Sequence, residues 1–566
     1  MDYDGRHLRI FNSERLGRKL AAGLERLGRE SVIPRIWSRD HTVWKPDDVE
    51  ISNRLGWLDA PSASEKDVPA MESFAAEARQ EGFTRAVVLG MGGSSLATEV
   101  FGRVFPKGAG HLDLDVLDTT EPGTVRDFAA GLDLERTLFL VSSKSGTTAE
   151  LVSLFCYFFD SARRALGEDR AGKRFAAVTD PGTALDELAR KLRFRAVFHG
   201  RPDVGGRFSA LTVFGLLPAA LKGLDLRRLL AAGSAAADGC RVADPGLNPG
   251  ALLGCLMGLA AEEGVNKLTL LMPPDLAPLA AWLEQLVAES TGKEGRGIVP
   301  VPERSVRPPE SYGNDRLFVR VEKDGAEPGP DVLALIGSGA PLVKLDLPDA
   351  YGLGGHFFLW EFATAMAGHL LGINPFDQPD VETTKKRTKE ILAGPSTGRT
   401  ADRPEPTLTS GPLRIRTSSK TGSPAEALGG LLGSARKGDY LAVLAFLPPG
   451  QEAGRLLEGL ADRLRDKSGL PVTLGFGPRY LHSTGQLHKG DGGDGIFLQL
   501  ASASLPDVPI PEVTGVKRPA ASFGELFSAQ SRGDERALRD KGRRVLRIEI
   551  DGPVEAGISA LIRVLS

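Results

Sequence analysis

The chain has 566 residues, enough for about two to four domains that each bury a core. A hydrophobic fraction of 41%, a charged fraction of 25% and a formal net charge of -3 are ordinary for a globular protein and give no electrostatic reason for a nucleic-acid partner. Three cysteines in apolar helical contexts (Cys156, Cys240, Cys255) argue against a disulfide frame, the start lacks a signal-peptide pattern, and the longest apolar run, 208–221, is too short to span a bilayer, so a cytoplasmic protein with no membrane partner is expected.

Residues 1–65 read as an N-terminal helical arm, with apolar residues at helical spacing from Leu16 to Leu27. Residues 66–240 alternate strand and helix, with strands expected at 85–90, 112–117, 137–142, 174–179 and 195–199. Such alternation gives a parallel sheet covered on both faces, with ligands outside the carboxyl ends of its strands. Two loops lie at such ends, Gly90-Met-Gly-Gly-Ser-Ser95 and Ser142-Ser-Lys-Ser-Gly-Thr-Thr148. The second opens a helix, whose first turn leaves about four N–H groups unpaired beside a partial positive charge. Three hydroxyls (Ser143, Ser145, Thr148), Lys144 and the turn-permitting Gly146 cluster there, a pattern suited to a dianionic phosphate. Gly92, Gly93 and Ser94 of the first loop can reach the same phosphate. A dinucleotide site fits less well, because Ser95 stands where the third glycine belongs.

Gly205-Gly-Arg-Phe-Ser209 precedes an apolar helix, and Arg207 is either a solvated turn residue or a fixed cation facing an oxyanion. Residues 241–395 form a second strand-and-helix unit. Its helix at 277–287 runs into Glu289-Ser-Thr-Gly-Lys-Glu294, which is not a phosphate-binding Walker loop. A carboxylate near a helix C-terminus is electrostatically disfavoured, and Glu289 is therefore a candidate proton acceptor. A long apolar helix at 356–371 leads into a Pro-punctuated loop at 372–381 and then a basic helix that begins near Lys385. Residues 396–410 have linker composition, and 411–566 read as a C-terminal α/β domain. Its loop at 480–490 carries His482 and His488; neither has a nearby carboxylate or cysteine to complete a zinc site, so no metal is expected.

In order along the chain, Gly92-Gly-Ser94, Ser142-Ser-Lys-Ser-Gly-Thr-Thr148, Gly205-Gly-Arg-Phe-Ser209, Gln285-Leu-Val-Ala-Glu-Ser-Thr-Gly-Lys293 and Gly372-Ile-Asn-Pro-Phe-Asp-Gln-Pro379 resemble the motifs of the glucose-6-phosphate isomerase (phosphoglucose isomerase) family. Ile36-Trp-Ser-Arg-Asp-His-Thr-Val-Trp44 and Leu481-His-Ser-Thr-Gly-Gln-Leu-His-Lys-Gly490 are similar to the isomerase half of bifunctional transaldolase/glucose-6-phosphate isomerases. The resemblance implies an α/β fold of two tandem sugar-isomerase domains (flavodoxin-like, parallel-sheet) followed by the C-terminal α/β domain. It implies reversible aldose–ketose isomerisation of glucose 6-phosphate and fructose 6-phosphate through an enediolate, without cofactor or metal, by a homodimer. By position, Gly93, Ser94, Ser143, Lys144, Ser145 and Thr148 match the phosphate site and Gln378 a substrate-contacting glutamine. Glu289 matches the base, Arg207 the cation that stabilises the enediolate, and Lys385 the lysine that assists ring opening. The family's ring-opening histidine has no matching segment between Glu289 and the 372–379 loop, and His482 is the chosen substitute. Mannose 6-phosphate as a sole or second substrate is the alternative specificity. A non-catalytic sugar-phosphate-binding protein is the alternative class, disfavoured because Glu289, Arg207 and Lys385 are all present.

Overall fold

A computed structural model describes residues 3–565 except 6, 7, 13, 324, 325, 327, 394–405, 418–420, 505 and 506. Continuous apolar runs become strands buried on both faces, and they assemble into three mainly parallel sheets. The first has five parallel strands in the order Asp113–Leu117, Arg85–Leu89, Thr137–Ser142, Phe175–Thr179 and Ala196–His199. Every residue of Thr137–Ser142 is buried, which is why its sequence is apolar without alternation.

The second sheet runs Tyr3–Gly5, Leu8–Phe11, Leu342–Leu347, Arg316–Lys323, Lys267–Leu271 and Val299–Glu303. The N-terminal segment is thus more than a helical arm. Leu8–Phe11 pairs antiparallel with Leu342–Leu347, so the start of the chain closes the second sheet's edge. Val299–Glu303 escapes a sequence reading because it contains Pro300 and Pro302. Proline removes a ladder donor, and the strand is tolerated because it lies at the sheet's other edge.

The third sheet runs Leu408–Ser410, Leu413–Arg416, Arg544–Ile550, Gly495–Ser502, Tyr440–Phe446 and Val472–Phe476. Residues 396–405 of the expected linker lie outside the described residues, and Leu408–Ser410 at its end is an edge strand instead. The second and third sheets repeat one plan. In each, an antiparallel hairpin is laid on the last of four parallel strands, and those four strands take the same spatial order.

Shared cores fuse the units. Trp57, Phe101 and Leu140 pack in one cluster with Leu256 and Trp360. Phe139, Phe155 and Phe175 of the first unit enclose Ile510 and Phe523 from the C-terminal part. Ala288, Val299 and Val301 of the second unit join Tyr440, Phe446, Leu487 and Phe497 of the third. Burial of a large apolar side chain contributes about 1.5–3 kcal/mol, so the C-terminal unit is an integral wall of the molecule, held against both others. No helix among the described residues is long and apolar enough to cross a membrane.

Candidate active site

Numbered within itself, the first sheet has the strand order 2-1-3-4-5, and the chain reverses direction of growth between Arg85–Leu89 and Thr137–Ser142. The crevice at such a switch point is where an open α/β sheet binds its ligand. The loops that leave these two strands are Gly90–Ser95 and Ser143–Thr148. They are pressed together: a Cβ at Gly90 would lie 2.9 Å from the Ser142 carbonyl oxygen and 3.1 Å from Ser94 Cβ. A Cβ at Gly93 would sit 2.1 Å from the carbonyl oxygen of Gly206, so only glycine lets this loop rest on the Arg207 turn.

Thr148 precedes the helix Ala149–Leu166, and its hydroxyl makes no capping bond. Ser143 Oγ accepts from Gly146 N–H at 3.0 Å, and Ser145 and Thr147 share a hydroxyl bond of 3.0 Å on the exposed side. Lys144 stands differently. Its ammonium pairs with Asp180 at 2.5 Å and donates to the carbonyls of Arg201 (3.2 Å) and Pro202 (3.0 Å), which braces the loop against the neighbouring strand end.

Arg207 is 4% exposed and uses its whole fork. Nε donates to Ser290 Oγ at 2.8 Å, Nη1 to Gln378 Oε1 at 2.8 Å, and Nη2 to the carbonyls of Pro375 (2.7 Å) and Asp377 (2.9 Å). Nη1 also lies 3.4 Å from Glu289 Oε1. Burial lowers the Arg207 pKa from its ordinary value, with Glu289 and Asp377 acting in the opposite direction; a guanidinium starts high enough to keep its charge. Lys293, 1% exposed, donates to Asp377 Oδ1 at 2.7 Å and to its carbonyl at 2.5 Å. Burial first, and then the Arg207 charge, pull its pKa down to about 8. Arg207 and Lys293 together clamp the 372–379 loop onto the helix Ala277–Thr291.

Glu289 lies in the last turn of that helix, and Gln285, one turn earlier, donates Nε2 to Glu289 Oε2 at 2.9 Å. The same Nε2 donates to the carbonyl oxygen of His482 at 2.8 Å. The polar segment of the C-terminal unit, which folds as two short helices (Arg479–His482 and Gly485–Gly490) and not as the expected loop, therefore sits on the Glu289 helix. His482 Nε2 bonds Glu150 Oε1 at 2.8 Å, and Gln530 donates to the same oxygen at 2.6 Å while accepting from Thr120 at 2.7 Å. Burial works to lower the His482 pKa, but the Glu150 charge and hydrogen bond outweigh it and the net shift is upward. Glu150 moves the matching way: burial would raise its pKa, and His482 brings it below the ordinary carboxylate value. Lys385 pairs with Glu382 at 2.6 Å, stays half-exposed, and its charge reaches both His482 and Glu150.

The other histidines weighed in the sequence lie elsewhere. His356 Nε2 contacts the Asp346 carbonyl at 3.0 Å, and His369 Nδ1 the Val43 carbonyl at 2.6 Å. His488 is 2% exposed among Tyr440, Tyr480 and Phe497, where burial, then Lys489 and Arg543, hold it well below its usual pKa. Sequence reasoning missed Glu150, Gln285 and Lys293 as members of the site. Gln285 had a signal, since it lies four residues before Glu289 on one helix face. Glu150 had none, because its partner is 332 residues away.

Residues 74–297 match the family described as phosphoglucose isomerase. The chain is 31% identical over 402 residues to the glucose-6-phosphate isomerase of Symbiobacterium thermophilum, covering 60% of this chain and 87% of that relative. It is 29% identical over 426 residues to the glucose-6-phosphate isomerase of Rubrobacter xylanophilus, covering 67% and 96%. Among solved structures, a hypothetical protein from Thermus thermophilus matches with 26% identity and a TM-score of 0.59 over 68% of this chain and 100% of that one. A Chlamydia trachomatis glucose-6-phosphate isomerase shares the fold with a TM-score of 0.60 and 18% identity, over 71% of this chain and 92% of that one.

Proposed function

Because the chain belongs to the phosphoglucose isomerase family, and so is an aldose–ketose isomerase that interconverts glucose 6-phosphate and fructose 6-phosphate, we propose that Glu289, Arg207, Lys385 and His482 carry out this reaction. The 6-phosphate binds at the switch point, against Gly93, Ser94, Ser143, Ser145 and Thr148 and the N–H groups that open the helix Ala149–Leu166. Lys144 supports that loop from behind through Asp180. His482, with Lys385, moves the proton between the anomeric hydroxyl and the ring oxygen, which opens the sugar. Glu289 then takes the C2 proton to give an enediolate, the O2 hydroxyl proton passes to O1, and the same carboxyl returns its proton to C1. Arg207 is fixed before the charge develops, so its stabilisation of the enediolate needs no rearrangement in the transition state. Gln378 is held at the mouth of the site by Arg207 and contacts the sugar. Phosphate binding far from the reacting carbons fixes the substrate in register.

The observation that carries this reading is the convergence of three units on one crevice. The first supplies the phosphate loop and Glu150, the second Glu289 and Gln285, and the third His482. A coupled assay without added metal tests it, with glucose 6-phosphate and mannose 6-phosphate each as substrate. Turnover of glucose 6-phosphate is expected; turnover of mannose 6-phosphate alone would replace the substrate, and turnover of neither would sink the reading. The same reading places the enzyme in glycolysis and gluconeogenesis, in the cytoplasm, as a homodimer.

The Glu150–His482 pair gives a pH prediction. Glu150 raises the His482 pKa, whereas burial and Lys385 lower it. In Glu150→Gln the larger raising influence is gone and only the weaker pull of Glu289 remains against burial and Lys385, so His482 loses its proton at lower pH. The alkaline limb of kcat/KM should move down in pH and kcat near neutrality should fall about 10- to 100-fold. An unmoved limb would show that His482 is not the titrating acid.

A further inference from the structure

His482 is the last residue of a single-turn helix, Arg479–His482. The first residue of that turn reaches across to the first unit. Arg479 Nη2 donates to Glu99 Oε2, and Nε lies 3.4 Å from Asp118 Oδ2. Glu99 belongs to the helix Leu96–Val104, which the Gly90–Ser95 loop opens, and Asp118 directly follows the strand Asp113–Leu117. Ser95 Oγ donates to Asp118 at 3.4 Å, so the anchor is tied to the loop that faces the phosphate. Glu284, the neighbour of Gln285, is the third carboxylate in reach of the Arg479 charge. Burial pushes it up to about 8, with Arg479 opposing. Burial also raises Asp118, against the pull of the same guanidinium. Arg479 is thus the cation around which carboxylates of the first and second units gather, and it sits on the backbone that presents His482. Tyr480, the next residue, donates its hydroxyl to Asp534 at 2.5 Å and packs on Phe446, which fixes the turn to its own unit.

We propose that Arg479 is a positioning residue for ring opening: by gripping Glu99 and Asp118 it sets the turn that holds His482 against Glu150. The proposal rests on the assignment of His482 above. A long-range ion-pair anchor is needed because His482 belongs to a different unit from the phosphate loop, and a misplacement of about 1 Å at a reacting group can lower a rate about 100-fold. Arginine suits the task because its fork can engage two carboxylates at once.

The test compares Arg479→Gln, Arg479→Lys and His482→Ala by two readouts. One is kcat on cyclic glucose 6-phosphate; the other is the inhibition constant of an acyclic aldonic acid phosphate, which mimics the enediolate and needs no ring opening. Arg479→Gln is expected to lower kcat about 10- to 100-fold, to leave the inhibition constant within about threefold, and to be partly restored in Arg479→Lys. A loss of inhibitor binding in step with kcat would mean general damage to the site and overturn the proposal. Full activity of Arg479→Gln beside an impaired His482→Ala would overturn it while leaving the His482 assignment intact. Full activity of His482→Ala would remove that assignment, and the role of Arg479 with it.

Discussion

Glu289→Gln is expected to lower kcat on glucose 6-phosphate by about 10³- to 10⁴-fold, the loss of a positioned general base. The amide keeps the shape of the carboxylate but cannot accept the C2 proton. At about 1.36 kcal/mol per tenfold, the barrier rises by about 4–5.5 kcal/mol. Substrate affinity should change little, because the phosphate loop belongs to another unit and Glu289 binds nothing there. The local structure should also hold: Gln285 still finds an acceptor in the His482 carbonyl, and Arg207 keeps its bonds to Ser290, Gln378, Pro375 and Asp377. The sharper readout is exchange of the C2 hydrogen with deuterated solvent, which should disappear along with isomerisation. If exchange persists at the wild-type rate, another group is the base.

The first sheet was legible almost strand by strand because its central strands are nearly continuous apolar runs and its strands are separated by helices of the usual length. Thr137–Ser142 stands where its apolar run is read from the sequence, and so, in the second sheet, does Leu342–Leu347, whose later residues alternate apolar and charged. The misses share a cause, which is that the sequence signal for an edge strand is weak. Leu8–Phe11, Leu408–Ser410 and Val299–Glu303 all lie at or beside sheet edges, where alternation is short and proline is permitted. The loop proposed to bind the phosphate could be singled out for a local reason: its hydroxyls and lysine are neighbours in the chain. The proposed acid–base groups were only half readable. Glu289 and Arg207 sit in motifs, but what gives His482 its place is contact between residues hundreds of positions apart. Glu150 reads locally as an acid in a helix's first turn, complementary to the helix dipole, and meets His482 only when the C-terminal unit docks. Lys144 has a partner that its sequence neighbours do not reveal. A lysine beside three hydroxyls reads as a phosphate ligand, and the structure pairs it with Asp180 on the next strand's loop.

Arg207→Lys tests whether charge alone is enough at the centre of the site. Lysine keeps the charge, but one ammonium cannot span Ser290, Gln378 and the Pro375 and Asp377 carbonyls, which the guanidinium joins with bonds of 2.7–2.9 Å. A buried acceptor left without a donor costs about 1–3 kcal/mol, so the 375–378 segment should shift and thermal stability fall. The enediolate would meet a cation that is no longer fixed in advance, and loss of one such preorganised donor lowers kcat about 10²- to 10³-fold. Both effects are expected together, and they are separable. Lys293 holds the same loop independently through the Asp377 carboxylate and carbonyl, so the loop has a second tether and the variant should fold. If stability falls while kcat stays within about threefold of wild type, Arg207 is a loop clamp and the enediolate is stabilised elsewhere. If kcat falls while affinity for an acyclic enediolate mimic is unchanged, the cation does not act on the intermediate. A parallel loss of kcat and of mimic affinity, with the protein folded, is the result that identifies Arg207 as the group that faces the developing charge.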